Sequence, residues 1–272
     1  MSRVLTLGPK GNEWSYDKDA KIYNLTRGSS PSAFTLRTTK GPTDTSITLA
    51  PSLSALVVVD MQNYFLHPSC NNHPTGLVAV ERTLELVRKC REIDVKIIWV
   101  NWGLSEKDLE TMPAAAERTF DRSLLTTSPD SEQARSGFGS DMGEGRGRML
   151  MEGSWNAALY GALHDVTRAS DIFCSKNRIS GFWHGETPLA KELDSGGFRT
   201  LLFAGVNTDQ CVLGTLADAY YRGYDCIMVE DCCATGTPGG QEVTIRNTSG
   251  IYGFVVDSNS VIKGTLDTEV QK

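Results

Sequence analysis

No stretch of the chain approaches the roughly 18 consecutive apolar residues that a membrane-crossing helix needs, and Met1 to Lys10 lacks the apolar core of a secretory signal. Cysteine is present without a framework. The seven cysteines are an odd number, no Cys-x-x-Cys pair occurs, and Cys232 and Cys233 are adjacent. A disulfide scaffold and a structural zinc site are both disfavoured on that basis. Histidine is scarce, with four in 272 residues, and positive charge is not in excess: 27 Lys and Arg face 33 Asp and Glu, a net charge of −6. That balance speaks against a general nucleic-acid-binding surface and against attraction to an anionic membrane. No internal repeat is visible. These absences lead us to expect a protein of the reducing cytoplasm, with free thiols and with neither nucleic acid nor membrane as partner.

The remaining composition, 40% hydrophobic and 22% charged, is enough for one α/β domain with a well-buried core. Residues 1–50 are polar and turn-rich, with Gly28-Ser29-Ser30-Pro31 and Gly41-Pro42. They read as an N-terminal extension with short edge strands such as Phe34 to Thr38, packed on the domain or on a partner subunit. Residues 51–272 read as the domain itself. The run Ala55-Leu56-Val57-Val58-Val59 has the unbroken apolar, β-branched character of a strand buried on both faces of a parallel sheet. Further strands are expected at Lys96–Val100, Asp171–Ser175, Thr200–Ala204, Asp225–Glu230 and Tyr252–Val256. Helical patterns lie between them: a stripe of Leu77, Val80, Leu84 and Val87; a helix from Ser154 through Leu163; one from Thr187-Pro188; one from Val212 to Gly223; and one around Gln241–Ser249. The alternation predicts a three-layer α/β/α sandwich around a mostly parallel, Rossmann-like sheet of about six strands. Between Ser105 and Arg148 the periodicity loosens into a glycine-rich tract, which reads as a lid or a subunit-contact loop.

Three polar residues stand just past three buried strands: Asp60, Lys176 and Cys211. Parallel strands share one carboxyl edge, and that edge is where open α/β sheets bind their ligands. Cys211 lies in Gly205-Val206-Asn207-Thr208-Asp209-Gln210-Cys211-Val212, at a strand-to-helix turn. The unpaired N–H groups and dipole of the helix would there favour a thiolate and could hold a developing oxyanion. Asp60 would take the thiol proton, and Lys176 would lower the thiol pKa. The alternatives are a buried, inert cysteine and an ordinary surface Asp–Lys pair.

Val59-Asp60-Met61-Gln62-Asn63, the Lys176 block Ser-Lys-Asn-Arg-Ile-Ser-Gly-Phe, and Gly-Val-Asn-Thr-Asp-Gln-Cys-Val resemble the signature blocks of the isochorismatase-like cysteine hydrolases, across residues 53–258. The resemblance implies a catalytic triad of Asp60, Lys176 and Cys211 and a non-proline cis peptide between Val206 and Asn207. It also implies an oxyanion hole from the backbone N–H groups of Asn207 and Cys211, with no metal and no cofactor. Gly153-Ser154-Trp155 and Lys176 to Phe182 are similar to blocks of the ureidoacrylate and N-carbamoyl amidohydrolases. A metal-dependent nicotinamidase is disfavoured, because the Asp-x-His motif of its metal site does not occur. The implied activity is hydrolysis of a C–N bond in a small amide or ureido (N-carbamoyl) substrate through a thioester. The alternatives are isochorismatase, a vinyl-ether hydrolase, and a non-catalytic interaction protein on the same fold.

Candidate substrate-binding residues are Tyr64, Phe65, Asn101, Trp102, Arg178 and Trp183. Tyr64 and Phe65 would form an apolar wall, Asn101 and Trp102 would orient a planar group, and Arg178 would grip a carboxylate. Trp183 and His184 would close the pocket. The Asn101-Trp102 segment differs in its order of polar and aromatic residues from the ureidoacrylate enzymes. Gln62 and Asn63 read as braces of the strand-end loop. The family resemblance implies a homodimer or homotetramer.

Overall fold

The structure, a computed structural model, describes residues 3–28, 32–41, 44–121 and 137–267. It has twelve strands among those residues: β1 (Val4–Leu7), β2 (Trp14–Asp17), β3 (Ile22–Asn24), β4 (Ala33–Arg37), β5 (Ser46–Leu49), β6 (Ser54–Val59), β7 (Lys96–Trp102), β8 (Ile172–Lys176), β9 (Thr200–Val206), β10 (Asp225–Ala234), β11 (Gly253–Val256) and β12 (Thr265–Asp267). The main sheet runs β11-β10-β9-β6-β7-β8, and every neighbouring pair in it is parallel. All six strands expected from the apolar runs are present. Strands β6 and β9 are buried along their whole length, as runs of Val, Leu and Ala in mid-sheet should be.

Helices Pro74–Glu92, Pro188–Gly196, Leu213–Tyr221 and Gly240–Asn247 begin and end where the residue types direct. Thr187 caps the second by accepting the Ala190 N–H, with Pro188 in the first turn, and Gly197 closes it in the left-handed region. The strand order reverses between β6 and β9: from β6 the chain moves outward through β7 and β8, then returns to β9 on the other side. That switch point is the expected position for a ligand.

Three local readings are corrected by the structure. No helix runs from Ser154 to Leu163; there is one 3-10 turn at Trp155–Ala157 and a four-residue helix at Gly161–His164. The carbonyls that would propagate the helix are used elsewhere, Ala157 O by the Gln62 side chain and Ala158 O by the Asn63 N–H. The buried Asn156 amide is also spent, donating to Arg146 O and Arg148 O. The loosened tract contains two short helices, Glu106–Thr111 and Ala114–Phe120. The first opens on a reciprocal cap between Ser105 and Asp108. Residues 122–136 of that tract, and with them part of the expected lid or contact loop, lie outside the described residues.

The third correction concerns Phe34 to Thr38. Strand β4 is an interior strand, not an edge. It belongs to a second sheet, in the order β1-β2-β3-β5-β4-β12, antiparallel except for β3–β5. Its buried Phe34, Leu36, Ile47 and Leu49 alternate as a pleat requires and join the hydrophobic core. This sheet is fastened to the main one at β10 and β11. Arg27 makes a two-pronged contact with Asp225, Nη1 to Oδ2 at 2.6 Å and Nη2 to Oδ1 at 2.8 Å, with both side chains almost fully buried. The Trp14 indole N–H and the Thr200 hydroxyl donate to the same carboxylate, at 2.9 and 2.8 Å. A cavity of about 500 Å³ opens beside this clamp, walled by Trp14, Tyr23, Tyr220, Tyr252 and Phe254. No helix among the described residues is long and apolar enough to cross a membrane.

Removing one partner of a buried ion pair strands the other charge. Arg27→Ala should therefore lower unfolding free energy by about 3–5 kcal/mol in urea titration; a loss below ~1 kcal/mol would show that the clamp is not holding the sheets together.

Candidate active site

Asp60 follows the last residue of β6, Lys176 ends β8, and Cys211 lies in the turn after β9. The structure brings the three together. Lys176 Nζ is 2.9 Å from Asp60 Oδ2 and 3.6 Å from Cys211 Sγ. All three are buried, the two charged side chains completely so. Lys176 starts two strands away from Asp60, and Trp102 on the intervening β7 bridges the gap. Trp102 and Lys176 are register partners, and Nζ sits 3.9 Å from the centre of the indole ring. That contact, with the Arg178 carbonyl at 3.0 Å, settles the ammonium in a place without water.

The close approach of β6 and β9 depends on Gly205. Its φ is +134°, and a Cβ there would lie 2.1 Å from the Val59 carbonyl oxygen, so no other residue fits this register. Asp60 itself has φ of +53°, a left-handed conformation that aspartate tolerates better than most residues. The bend turns its carboxylate out of the strand direction toward Lys176. Neither Asp60 oxygen has a well-angled hydrogen bond, so the ammonium is what balances the charge.

After β9 comes a cis peptide between Val206 and Asn207, then a π turn, Thr208–Val212, carrying Cys211. The Asn207 carbonyl accepts the N–H groups of Gln210 and Val212, at 3.1 and 3.2 Å. Side chains fix the turn as well. Thr208 donates to Gln241 Oε1 at 2.6 Å, Thr235 donates to Asp209 Oδ1 at 2.6 Å, and the Cys211 carbonyl accepts the Thr215 hydroxyl at 2.7 Å.

Electrostatically the site differs from the expectation of a preformed thiolate. Burial pushes the Cys211 thiol up to about 12, against the pull of Lys176. The helix-end effect is outweighed, because Cys211 is only 3% exposed and two N–H groups of the first turn already point at the Asn207 carbonyl. Burial also raises the Asp60 carboxyl above its ordinary value, with Lys176 opposing. The resting pair is thus a thiol beside a carboxylate of enhanced basicity, and the carboxylate lies within hydrogen-bonding reach of the thiol.

The remaining candidates divide. Trp102 belongs to the site; Asn101 precedes it in β7 and pairs with Ser175, on the face away from Lys176, and both are inside the strand, not past its end. The Asn101 Oδ1 atom is buried with no hydrogen-bond partner. Tyr64 is half-buried and leads, through Phe120, into an aromatic group in which Phe120 and Phe138 lie 5.1 and 5.0 Å from Trp102. Phe120 and Phe138 carry no sequence signal beyond being aromatic in a loosened tract. Phe65 is 6% exposed and packs in the core, edge-on to Tyr64. Arg178 meets Lys176 through its carbonyl, while its guanidinium donates to Asn177 O. Trp183 is half-buried in the turn that follows β8, and no hydrogen bond or ring contact among the described residues ties it to the three. Gln62 does brace the strand ends: its amide donates to Trp102 O at 2.7 Å and accepts the Trp102 N–H at 2.9 Å. Asn63 donates to Trp155 O. One contact was missed from the sequence, His73 Nε2 to Asn207 Oδ1 at 2.8 Å; the signal available was a histidine directly before Pro74, at a helix start.

Residues 54–260 match the isochorismatase domain family. Over 215 residues the chain is 31% identical to ureidoacrylate amidohydrolase RutB of Methylorubrum extorquens, a match covering 75% of this chain and 79% of that protein. A cysteine hydrolase from Pseudomonas syringae pv. phaseolicola superposes with a TM-score of 0.61 at 20% identity, over 78% of this chain and 92% of that one. N-carbamoylsarcosine amidase from Thermoplasma acidophilum gives a TM-score of 0.55 at 24% identity, over 76% and 96%. At these identities the two structures show a shared fold.

A thiol raised to about 12 reacts slowly at neutral pH, since the thiolate is the nucleophile. Iodoacetamide labelling of Cys211, read by peptide mass spectrometry, should keep accelerating to about pH 10. A plateau near pH 7 would mean a stable thiolate–lysine pair instead.

Proposed function

The chain belongs to the isochorismatase family, and from that premise we propose a cysteine hydrolase that cleaves the C–N bond of a small amide or ureido substrate. The observation that carries this reading is the meeting of Cys211, Asp60 and Lys176, within 3.6 Å of the lysine nitrogen, at the sheet's switch point. The names of the amidohydrolase relatives support the bond type. Asp60 takes the Cys211 proton as the sulfur attacks the carbonyl carbon, so a buried thiolate never has to persist. The carbonyl oxygen becomes an oxyanion held by the backbone N–H groups of Asn207 and Cys211. Collapse of that intermediate breaks the C–N bond, and Asp60 returns the proton to the leaving ammonia or amine. Water, deprotonated by Asp60, then hydrolyses the thioester and restores the thiol. Lys176 keeps Asp60 ionised between steps and stabilises the negative charge that moves from carboxylate to sulfur.

Tyr64, Trp102, Phe120 and Phe138 supply flat apolar surface for the rest of a small substrate. Residues 1–50 serve as an extension clamped on a hydrolase domain of residues 51–272. Exposed Tyr221 and Ile251 suit contacts in a homodimer or homotetramer, and seven free cysteines suit the reducing cytoplasm.

Cys211→Ala should abolish turnover while leaving the urea midpoint near wild type, and quenched turnover should leave an acyl mass on Cys211 alone. Small amides and ureides should release ammonia. Pyruvate released from isochorismate, with no ammonia from any amide, would overturn the reading in favour of vinyl-ether hydrolysis.

Because the Asp60 carboxyl is raised and must be ionised to act as base, kcat/KM should fall on acidification above the ordinary carboxylate range. Asp60→Asn should cost about 10²–10⁴-fold in kcat. An acid limb at or below pH ~4 would assign the base to another group.

A further inference from the structure

Asn207 has two backbone duties in the reading above. Its N–H faces the developing oxyanion, and its carbonyl receives the Gln210 and Val212 N–H groups that shape the turn around Cys211. The orientation of this one residue therefore sets both the oxyanion hole and the nucleophile. Thr208 and Asp209, the next two residues, are held from the β10 side by Gln241 and Thr235. Asn207 is held from elsewhere, by a residue 134 positions away.

His73 is 5% exposed and sits at the N-cap of the helix Pro74–Glu92. Its Nδ1 accepts the Gly76 N–H at 3.0 Å. A backbone N–H can only donate, so Nδ1 carries no proton, and in the neutral ring the proton is on Nε2. Nε2–H then donates to Asn207 Oδ1 at 2.8 Å. The two ring nitrogens thus do separate jobs. One is spent on a 19-residue helix, which makes the ring a fixed point; the other passes that fixity to the Asn207 side chain. Gly76 makes room for the ring: a Cβ there would come within 2.9 Å of it.

We propose that His73 is a positioning residue for the reaction: through Asn207 it holds the oxyanion-binding backbone in its working orientation, without touching substrate. The proposal rests on the reading of Asn207 as part of the oxyanion hole. It also gives the buried histidine a role other than metal ligation or general base catalysis.

Two substitutions separate the two nitrogens. Asparagine places an amide near Nδ1, and it is among the best N-cap residues; it is too short to reach Asn207. Glutamine places its amide nitrogen near Nε2, so it can donate to Asn207 but caps poorly. His73→Asn should therefore lose less stability than His73→Gln yet lose about 10- to 100-fold in kcat with KM little changed. His73→Gln should do the reverse, losing stability while keeping most of kcat. In a cycle with Asn207→Ala, the double variant with His73→Asn should be no slower than Asn207→Ala alone. If kcat follows stability across the two His73 variants, or if the double variant is additive, the proposal is overturned.

One readout needs no substrate. Urea midpoints over the same cycle should be non-additive if positions 73 and 207 are coupled, and additivity there overturns the link whatever the reaction proves to be. Turnover that survives in Cys211→Ala would instead sink the hydrolase reading while the measured 73–207 coupling stands.

Discussion

Two full charges, Asp60 and Lys176, lie 2.9 Å apart with no exposure to water, and much of the surrounding structure follows from that pair. Taking both ions out of water costs several kcal/mol each, and their attraction rarely returns more than that. The pair is thus a poor device for stability and argues for chemistry. It persists because neighbours hold the geometry. Trp102 lies against the ammonium, the Arg178 carbonyl accepts from it, and Gln62 ties the end of β6 to the end of β7. Gly205 lets β9 lie close enough to β6 for the cysteine turn to meet the aspartate.

The same lack of water sets the acid–base balance. Desolvation disfavours whichever member of a pair is charged, so it raises the Asp60 carboxyl and the Cys211 thiol together. With Lys176 present, one negative charge is tolerated and two are not. The site then holds a single mobile proton between sulfur and carboxylate, and the ammonium is content with the charge on either. A nucleophile that is protonated at rest is also shielded from oxidation and stray alkylation, in contrast to an exposed low-pKa thiol.

How far the sequence can be read follows from which forces are local. The six parallel strands were legible because continuous Val, Ile and Leu runs have few other fates, and the carboxyl-edge rule then placed Asp60, Lys176 and Cys211 side by side. The run at 154–163 misled, because its helical pattern is outbid by Gln62 and Asn63, which claim two of its carbonyls from far away in the chain. The N-terminal strands were half legible. Their alternation is visible, but parallel pairing of β3 with β5 and closure by β12 are non-local choices. Asn101 and Trp102, expected just past the strand, are its last two residues, because strand ends are the least determined part of any pattern. The thiol's state could not be read, since desolvation is a property of the folded interior and not of any residue. His73 gave the faintest signal of all: a histidine directly before Pro74 stands at a helix start, and neither its cap nor its bond to Asn207 shows in the sequence.

The clamp between the two sheets bears on how the chain can be trimmed. Strand β11 ends the main sheet, and its outer side is met by Thr39, whose N–H donates to the Val255 carbonyl at 2.9 Å, and by Lys40 in an isolated antiparallel bridge. Cutting the chain back to the family-matched core would bare that edge, together with a buried Asp225 deprived of its arginine. An uncovered strand flanked by apolar surface recruits strands from other molecules. A minimal version of this protein would therefore be limited by self-association before it was limited by chemistry, although none of the three site residues had been touched.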